Sequence, residues 1–331
     1  MRRRDVLAAA MSIAGASEGF AQSAKKLPRL AIVSPTEPIA LMVEDSSNPY
    51  YRVLFEELRR RGWIAGKTFE VDRYGQEHVG AGQPALFETV LRSKPDVIYA
   101  IAGAAFLKAA ATTVPVVALS GDPLALGLIQ SLAKPGGNIT GMSVDVGPLL
   151  HGKRIELLRE AFPAMSELIY VNLRPAWEAF MGPAMRAAAE KAGIGLLPKL
   201  IDAPASEEDY RRAIVESARA GGNAIMIGDS PMALRYRAAI VAAVAEVKLP
   251  AMYTFPESVE AGGLMAYWFD LKELNRRAAE NIDAILRGAY PGDIPYYQAT
   301  TFGLSINLAT AKAQGITFPL SILGRADQVI E

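Results

Sequence analysis

The chain has 331 residues, 51% of them hydrophobic, and equal numbers of basic and acidic residues give a formal net charge of zero. At ~100 to 200 residues per domain this length predicts two domains, and the zero charge argues against a nucleic-acid partner. Cysteine is absent and the only histidines are His78 and His151. Disulfides, thiol nucleophiles and thiolate metal sites are therefore excluded, and we expect no metal or other cofactor.

The N-terminus, MRRRDVLAAAMSIAGASEGFAQ, has a basic start, a short apolar stretch and a small-x-small cleavage pattern at Gly19-Phe20-Ala21. Residues 1–21 are therefore predicted to be an export signal. Arg3-Arg4-Asp5-Val6-Leu7 resembles the twin-arginine pattern, although a Sec-type signal with an accidental arginine cluster stays open. The apolar run is shorter than the ~20 residues that span a bilayer. We expect a soluble protein exported to a bacterial periplasm.

From Leu27 onward, short apolar runs rich in β-branched residues alternate with longer amphipathic runs. This alternation predicts βαβ units and parallel sheets, hence an α/β fold. The candidate strands are RLAIVS, DVIYAIA, VPVVALS, ELIYVNL, NAIMIGD, LPAMYT and LMAYWF. The candidate helices are residues 50–61, 83–93, 151–161, 176–192, 206–220, 231–247 and 271–288, with Ser206 placed to cap its helix.

A glycine-rich stretch, PGGNITG at Pro135–Gly141, separates the first strand–helix series from a second that starts near Ser166. It is not a P-loop, because Met142 stands where the phosphate-binding lysine would be. A G-x-G-x-x-A match at residues 80–85 follows polar residues instead of a buried strand, which disfavours a dinucleotide site. We interpret PGGNITG as a crossover between two lobes, since its glycines suit a core strand poorly.

Catalytic patterns are missing from the chain. No G-x-S-x-G nucleophile elbow occurs, and the carboxylates are scattered with no evident acid–base pair. The sequence therefore predicts a binding protein without an activity of its own.

Polar and small residues directly follow the predicted strands, where open α/β sheets bind their ligands. The candidate ligand-binding residues at these strand ends are Pro35, Thr36, Gly103, Ala104, Ser120, Gly121, Asp122, Asn172, Arg174 and Asp229.

Two Gly-Asp turns differ in what their aspartates can do. Asp122 precedes a proline and is either a helix N-cap or a ligand contact. In GDSP, Ser230 is placed to cap the next helix, which leaves Asp229 to face the cleft. We therefore predict that Asp229 holds a ligand ammonium group.

The other end of a ligand would need groups that bind a carboxylate and apolar walls. Backbone N–H groups at Gly103-Ala104 or Ser120-Gly121 could hold a carboxylate, and Arg174 could hold it as a bidentate partner. Aromatic residues beside a joint between lobes can supply the walls. The candidates for this role are Tyr253, Phe255, Tyr267 and Trp268.

Four segments together resemble one family: RGWIAGKTFEVDRYG, VPVVALSGDPLALGLIQSLAKPGGNITGMS, VEAGGLMAYW, and the tail from FGLSINLATAKAQGI to ILGRADQVIE. These segments are similar to the ABC-transporter substrate-binding proteins related to tryptophan- and tyrosine-binding proteins. The resemblance implies the type I periplasmic-binding fold, two doubly wound parallel-sheet lobes joined by a three-segment hinge. It places the crossovers at NITGMS, GGLMAYW and YYQATTFGLSIN. Lobe 1 would span 28–142 plus about 267–292, and lobe 2 would span 143–266 plus about 298–331.

The sequence departs from the commoner family pattern at VNLRPAWEAF, which keeps Asn172 and adds Arg174 and Trp177 where many relatives have an Asn-Pro-rich turn. The identity of the ligand therefore does not transfer. The expected function is capture of a small solute, an aromatic or hydrophobic amino acid or an aromatic acid, by a monomer that delivers it to an inner-membrane ABC permease. The alternatives are a ligand-sensing module for a receptor and a two-lobed enzyme that acts on a small metabolite.

Overall fold

The computed structural model describes residues 26–80 and 82–331, so the expected export signal at residues 1–21 lies outside the described part of the chain. The described chain forms two α/β lobes, each built on its own sheet. Within these two ranges, no helix is both long enough and apolar enough to cross a membrane.

Short apolar runs form most of the strands, as their composition predicts. In chain order the strands are β1 (Arg29–Val33), β2 (Glu70–Tyr74), β3 (Val97–Ile101), β4 (Val116–Ser120), β5 (Ile139–Ser143), β6 (Glu167–Leu173), β7 (Gly195–Ile201), β8 (Ala224–Ile227), β9 (Ala251–Tyr253), β10 (Met265–Phe269), β11 (Tyr297–Gln298), β12 (Phe302–Asn307) and β13 (Gln328–Ile330). The first sheet has the order β11-β5-β4-β3-β1-β2, and the second has the order β13-β12-β10-β9-β8-β6-β7. Neighbouring strands run parallel except β10 and β12, which are antiparallel.

The α-helices lie between the strands, and five of them (α1, α7, α8, α11 and α12 in the order below) begin at a residue whose side chain accepts from a free backbone N–H group. In chain order the helices are α1 (Pro49–Arg60), α2 (Gln83–Arg92), α3 (Ala104–Ala109), α4 (Pro148–Ala161), α5 (Arg174–Ala176), α6 (Gly182–Ala192), α7 (Glu207–Arg219), α8 (Pro231–Arg235), α9 (Arg237–Val247), α10 (Pro256–Glu260), α11 (Leu271–Leu286), α12 (Leu308–Ala313) and α13 (Leu320–Leu323). Asn48 caps α1 by accepting from the Tyr50 N–H. Ser206 caps α7, which confirms the predicted cap.

Both sheets are covered on both faces. In β1, Leu30 and Ile32 belong to the cluster under α1 and α11, whereas Ala31 and Val33 belong to the cluster under α2 and α3. This is the two-residue period of a strand. In the second lobe α4 and α6 cover one face, and α7 and α9 cover the other. Each fully buried aliphatic side chain stabilises the fold by ~1.5–3 kcal/mol, and the two-sided burial confirms the doubly wound architecture.

The glycine-containing stretch at residues 139–143 is a core strand, contrary to our prediction of a crossover. All five residues of β5 are buried, and the strand pairs with β4 and β11. Glycine is needed at position 141 because a Cβ there would lie 1.9 Å from the Ala118 carbonyl oxygen of β4. The first crossing is residues 144–147, between β5 and α4.

The other two crossings are also shorter than predicted. GGLMAYW contains most of β10, which lies inside the second sheet between β9 and β12 because it bonds to both neighbours. The chain therefore returns at Asp270, which caps α11, and not at residue 267. The third crossing is residues 299–301, between β11 and β12. The first lobe is thus residues 26–143 and 271–298, and the second lobe is residues 148–269 and 302–331.

Candidate functional site

Strand ends from both lobes meet around one cavity of about 400 Å³, the interlobe cavity. The segments after β1, β3 and β4 line it from the first lobe, and those after β6, β8 and β9 line it from the second. Most of the wall is apolar, and its aromatic side chains are Tyr50, Tyr51, Phe106, Phe180, Phe255 and Phe269. A cavity of this size and character suits a small organic solute.

A wider and more open groove lies on the outer surface of the second lobe, between α4 and α6. Its lining includes Leu149, Lys153 and Glu156 of α4, and the groove is open to solvent along the helices. Ligands of open α/β sheets bind at the carboxyl ends of the strands, which do not line this groove. The interlobe cavity is therefore the candidate site.

Several of the residues predicted from strand ends line the interlobe cavity. They are Pro35, Thr36, Gly103, Ala104, Ser120, Gly121, Asp229 and Phe255. Gly103 is required where α3 begins, because its φ is 73° and a Cβ would lie 2.5 Å from the Phe87 ring. The Ser120 hydroxyl lies 2.6 Å from the Tyr296 hydroxyl, so part of its hydrogen-bonding capacity is already used inside the first lobe.

Asp229 lines the cavity, but its carboxylate is not free, contrary to our prediction. Ser230 caps α8 by accepting from the Ala233 N–H, which confirms its predicted role. The Asp229 Oδ2 accepts from the Arg154 guanidinium at 2.8 Å, and the side chains are 4% and 1% exposed respectively. Its other oxygen, Oδ1, has no hydrogen-bond partner among the described residues. Asp229 therefore keeps one unpaired acceptor atom, buried at the cavity wall, while its charge is already matched by Arg154.

Asp122 caps a turn and does not line the cavity. Its Oδ1 accepts from the N–H groups of Leu124 at 2.9 Å and Ala125 at 3.1 Å. Of the two roles left open by the sequence, the structure therefore favours the cap, because both N–H groups belong to the segment that follows.

Asn172 and Arg174 do not line the cavity either, although Leu173 between them does. Asn172 is buried within the second lobe, where its amide donates to the Tyr170 hydroxyl at 3.1 Å and its oxygen accepts from the Leu173 N–H. Arg174 points to the surface, where it donates to Asp202 at 2.6 Å and is 44% exposed. The predicted bidentate role of Arg174 is not supported by this arrangement.

Three of the four predicted aromatic wall residues lie elsewhere. Tyr253 is buried in the core of the second lobe. Tyr267 stacks on Phe302 of the paired strand β12, and the Trp268 indole donates to the Ser305 hydroxyl at 2.9 Å. Antiparallel pairing of β10 with β12 thus directs these rings into the second lobe. The remaining predicted residue, Phe255, does line the cavity.

Sequence reasoning missed a polar wall formed by the segment after β1 and the start of α1. Glu37, Asn48, Tyr50 and Tyr51 all line the cavity. Burial raises the pKa of the Glu37 carboxyl, and an Asn48 hydrogen bond partly offsets this. The Tyr51 hydroxyl is buried and makes no hydrogen bond of good geometry among the described residues; burial together with the nearby Glu37 charge raises its pKa, and the neighbouring Ser34 partly offsets this. The only signal in the sequence was the Asn-Pro cap that ends this loop.

Hydrogen bonds and one ring contact join the lobes across the cavity. Arg235 of α8 donates to the Thr36 carbonyl oxygen at 2.9 Å and also bonds the Gln76 side chain of the first lobe. Gly121 of the first lobe meets the Phe180 ring of the second so closely that a Cβ would lie 2.2 Å from it. The described cleft is therefore closed over its cavity.

Two titratable side chains are buried next to the first crossing. Burial raises the pKa of Asp145 to about 6 and lowers the pKa of His151 to about 4. The His151 Nε2 lies 3.8 Å from an Asp145 oxygen, too far for a hydrogen bond. In the described part of the chain, no cluster of three or more His, Asp or Glu side chains could hold a metal ion.

Comparison with known proteins gives related sequences and folds. A tyrosine-binding protein of Clostridioides difficile is 25% identical over 265 residues, which cover 77% of this chain and 73% of the relative. A conserved domain protein from Vibrio cholerae superposes with a TM-score of 0.79 at 25% identity, covering 92% of this chain and all of that one. An ABC domain in complex with L-Trp from Streptococcus pneumoniae gives a TM-score of 0.78 at 23% identity, with the same coverage.

The two lobes match the type I periplasmic binding fold of such neighbours, which confirms the fold expected from the sequence. The family model described as ABC transporter substrate binding protein matches residues 41–330, nearly the whole described chain. The interlobe cavity, with polar side chains and apolar walls, is consistent with this fold and family. The chain belongs to the family of ABC transporter substrate-binding proteins.

Proposed function

We propose that this protein captures an aromatic or hydrophobic amino acid, or an aromatic acid, between its lobes and delivers it to the permease of an ABC importer. The observation that carries this proposal is the interlobe cavity, which is closed by residues of both lobes and walled by aromatic rings. A solute held there contacts both lobes only when the cleft is closed. Binding would therefore favour the closed state through these additional contacts.

Polar groups at the cavity wall support a ligand with two polar ends. The open Oδ1 of Asp229 would accept a hydrogen bond from a ligand donor. Backbone N–H groups near Gly103 and Gly121 would meet a ligand carboxylate. A tyrosine-binding relative and a fold neighbour solved with L-Trp make aromatic amino acids the first compounds to test.

We further propose that the mature protein acts as a monomer in the periplasm, reached through the twin-arginine or the Sec route, and performs no chemistry on its solute. The family assignment and the export pattern at residues 1–21 support this placement. The two rival roles are receptor sensing, which predicts that uptake of the solute does not depend on this protein, and enzymatic turnover, which predicts that the solute is converted.

A thermal-shift screen of the purified mature protein against amino acids, aromatic acids, sugars and nucleosides tests capture directly. A solute that binds only the folded state at a hundredfold excess over its Kd stabilises it by ~2.7 kcal/mol. We expect a clear shift with aromatic amino acids or aromatic acids, followed by recovery of unmodified solute. Chemical conversion of the solute would overturn the proposal in favour of an enzyme.

Uptake of the identified radiolabelled solute then separates transport from sensing. Deletion of the gene should lower the rate of uptake at low solute concentration, and the wild-type gene should restore it. An unchanged rate of uptake in the deletion strain would contradict delivery to a permease and favour a receptor.

A further inference from the structure

We propose that Glu37, together with the Tyr51 hydroxyl, binds a protonated amine of the ligand, so that the cavity selects aromatic or hydrophobic amines and amino acids over acids that lack an amine. This inference rests on the proposed function and adds which charge the solute must carry. It also moves the ammonium site from Asp229 in the second lobe to the opposite wall.

The Glu37 carboxylate lines the cavity with little to balance its charge. Its one side-chain hydrogen bond comes from the Asn48 amide at 3.4 Å, near the limit for such a bond. No Lys, Arg or His among the described residues lies within salt-bridge distance of Glu37. The cation whose charge acts on it is Arg235, whose guanidinium is bonded to the Thr36 carbonyl oxygen and the Gln76 side chain.

Asp229 differs from Glu37 because its counter-charge is built in. The Arg154 guanidinium lies 2.8 Å from Asp229, so the pair presents a polar but neutral group to the cavity. Glu37 and Asp229 are the only charged side chains among the described residues that line the cavity. An anionic solute would therefore meet one matched and one unmatched carboxylate and no cationic side chain.

The Tyr51 hydroxyl supplies an acceptor beside this carboxylate. Tyr51 is 3% exposed and lines the cavity, and its hydroxyl makes no hydrogen bond of good geometry among the described residues, although Ser34 lies beside it. A protonated primary amine has three N–H donors and no acceptor. Such a group can donate to Glu37 and to the Tyr51 oxygen together, which gives this buried oxygen a hydrogen-bond donor.

Isothermal titration calorimetry of the mature protein with two matched ligand sets tests the charge requirement. One set is L-tryptophan, tryptamine and indole-3-propionate; the other is L-tyrosine, tyramine and 3-(4-hydroxyphenyl)propionate. The second compound of each set lacks the carboxylate, and the third lacks the amine. We expect each amine to bind at least about tenfold more tightly than the matching acid. An acid that binds as tightly as its amine overturns the proposal.

Glu37→Gln tests the residue, and Glu56→Gln is the matched control because Glu56 is an exposed carboxylate on α1 of the same lobe. We expect Glu37→Gln to weaken binding of amine-bearing ligands by about tenfold or more, as for the loss of a charged hydrogen bond. Equal affinities in the two variants would contradict the assignment. If Glu37→Gln does not fold, the comparison of amines with acids on the unaltered protein still decides the question.

Tyr51→Phe adds a readout that a structural role would not give. Removal of an unpartnered buried hydroxyl should leave the unfolding midpoint of the unliganded protein unchanged or raised, while amine binding weakens. Failure of all six compounds and of the wider solute panel would overturn the proposed function and this inference together. Capture of an aromatic acid without any preference for amines would overturn this inference alone, whereas capture only of a sugar would overturn both.

Discussion

The buried ion pair between Arg154 and Asp229 should make Arg154→Met strongly destabilising. The pair joins α4 to the segment after β8, and the Arg154 Nε also donates to the Tyr267 carbonyl oxygen at 3.0 Å. With exposures of 1% and 4%, water cannot replace the guanidinium once it is removed. The Asp229 carboxylate would then stay buried without a cation. Loss of one partner from such a pair costs ~3–5 kcal/mol.

Urea unfolding followed by tryptophan fluorescence measures this effect. For a lobe of this size, the same loss lowers the thermal midpoint by roughly 6–20 °C. The double variant Arg154→Met/Asp229→Asn removes both charges, so it should be more stable than Arg154→Met alone by at least about 1 kcal/mol. Lys153→Met, on the same helix with its side chain 35% exposed, is the control and should change stability by less than about 0.5 kcal/mol.

Two results would refute this reasoning. One is a free energy of unfolding for Arg154→Met within about 1 kcal/mol of the wild-type value, which would mean that the carboxylate binds water or takes up a proton at little cost. Alternatively, the double variant could be less stable than Arg154→Met, which would mean that packing of the arginine stem, not its charge, holds the two elements together.

Three further predictions concern closure and pH. Arg235→Gln should open the unliganded cleft, seen as a larger radius of gyration in small-angle X-ray scattering; an unchanged radius would contradict a role in closure. Gly121→Ala should weaken ligand binding by about 5- to 100-fold in calorimetry because its Cβ meets the Phe180 ring, and wild-type affinity would show that the ring moves aside freely. Asp145→Asn should make the free energy of unfolding, measured in urea, fall more steeply than in the wild type as the pH is lowered from 7 to 4.5. In the wild type, protonation of folded Asp145 below about pH 6 adds stability as the pH falls, while the depressed pKa of His151 makes the folded state lose stability over the same range. The variant keeps only the loss caused by His151. Wild-type and variant stabilities that fall in parallel with pH would contradict this.

Local signals in the sequence predicted much of the fold because they act over a few residues. The apolar runs of seven strands (β1, β3, β4, β6, β8, β9 and β10), the Ser206 cap and the Ser230 cap could all be read from their neighbours in the sequence. Strand β5 could not. Its glycine looks like a turn signal until the Ala118 backbone of β4 is known to lie against it, and that contact depends on a residue 23 positions earlier in the chain.

The cavity was predictable only in part for the same reason. Strand-end residues such as Thr36 and Gly121 were found because parallel strands bring their carboxyl ends together. Tyr267 was misplaced because its ring stacks on Phe302, which comes from a strand that pairs antiparallel. Glu37 was missed because nothing near it in the sequence shows that its charge lacks a cation.

The distribution of polar contacts is suited to a cleft that opens and closes. A solute can enter only an open cleft, so contacts between lobes have to break at small cost. The Arg235 contacts cross the cleft as hydrogen bonds from a charged donor at half-buried positions, each worth ~1.5–3 kcal/mol net. The buried ion pair of Arg154 with Asp229 lies wholly within the second lobe and does not resist opening. A ligand that adds a few kcal/mol of contacts across the cleft can therefore shift the population toward closure, while each lobe keeps its wall rigid.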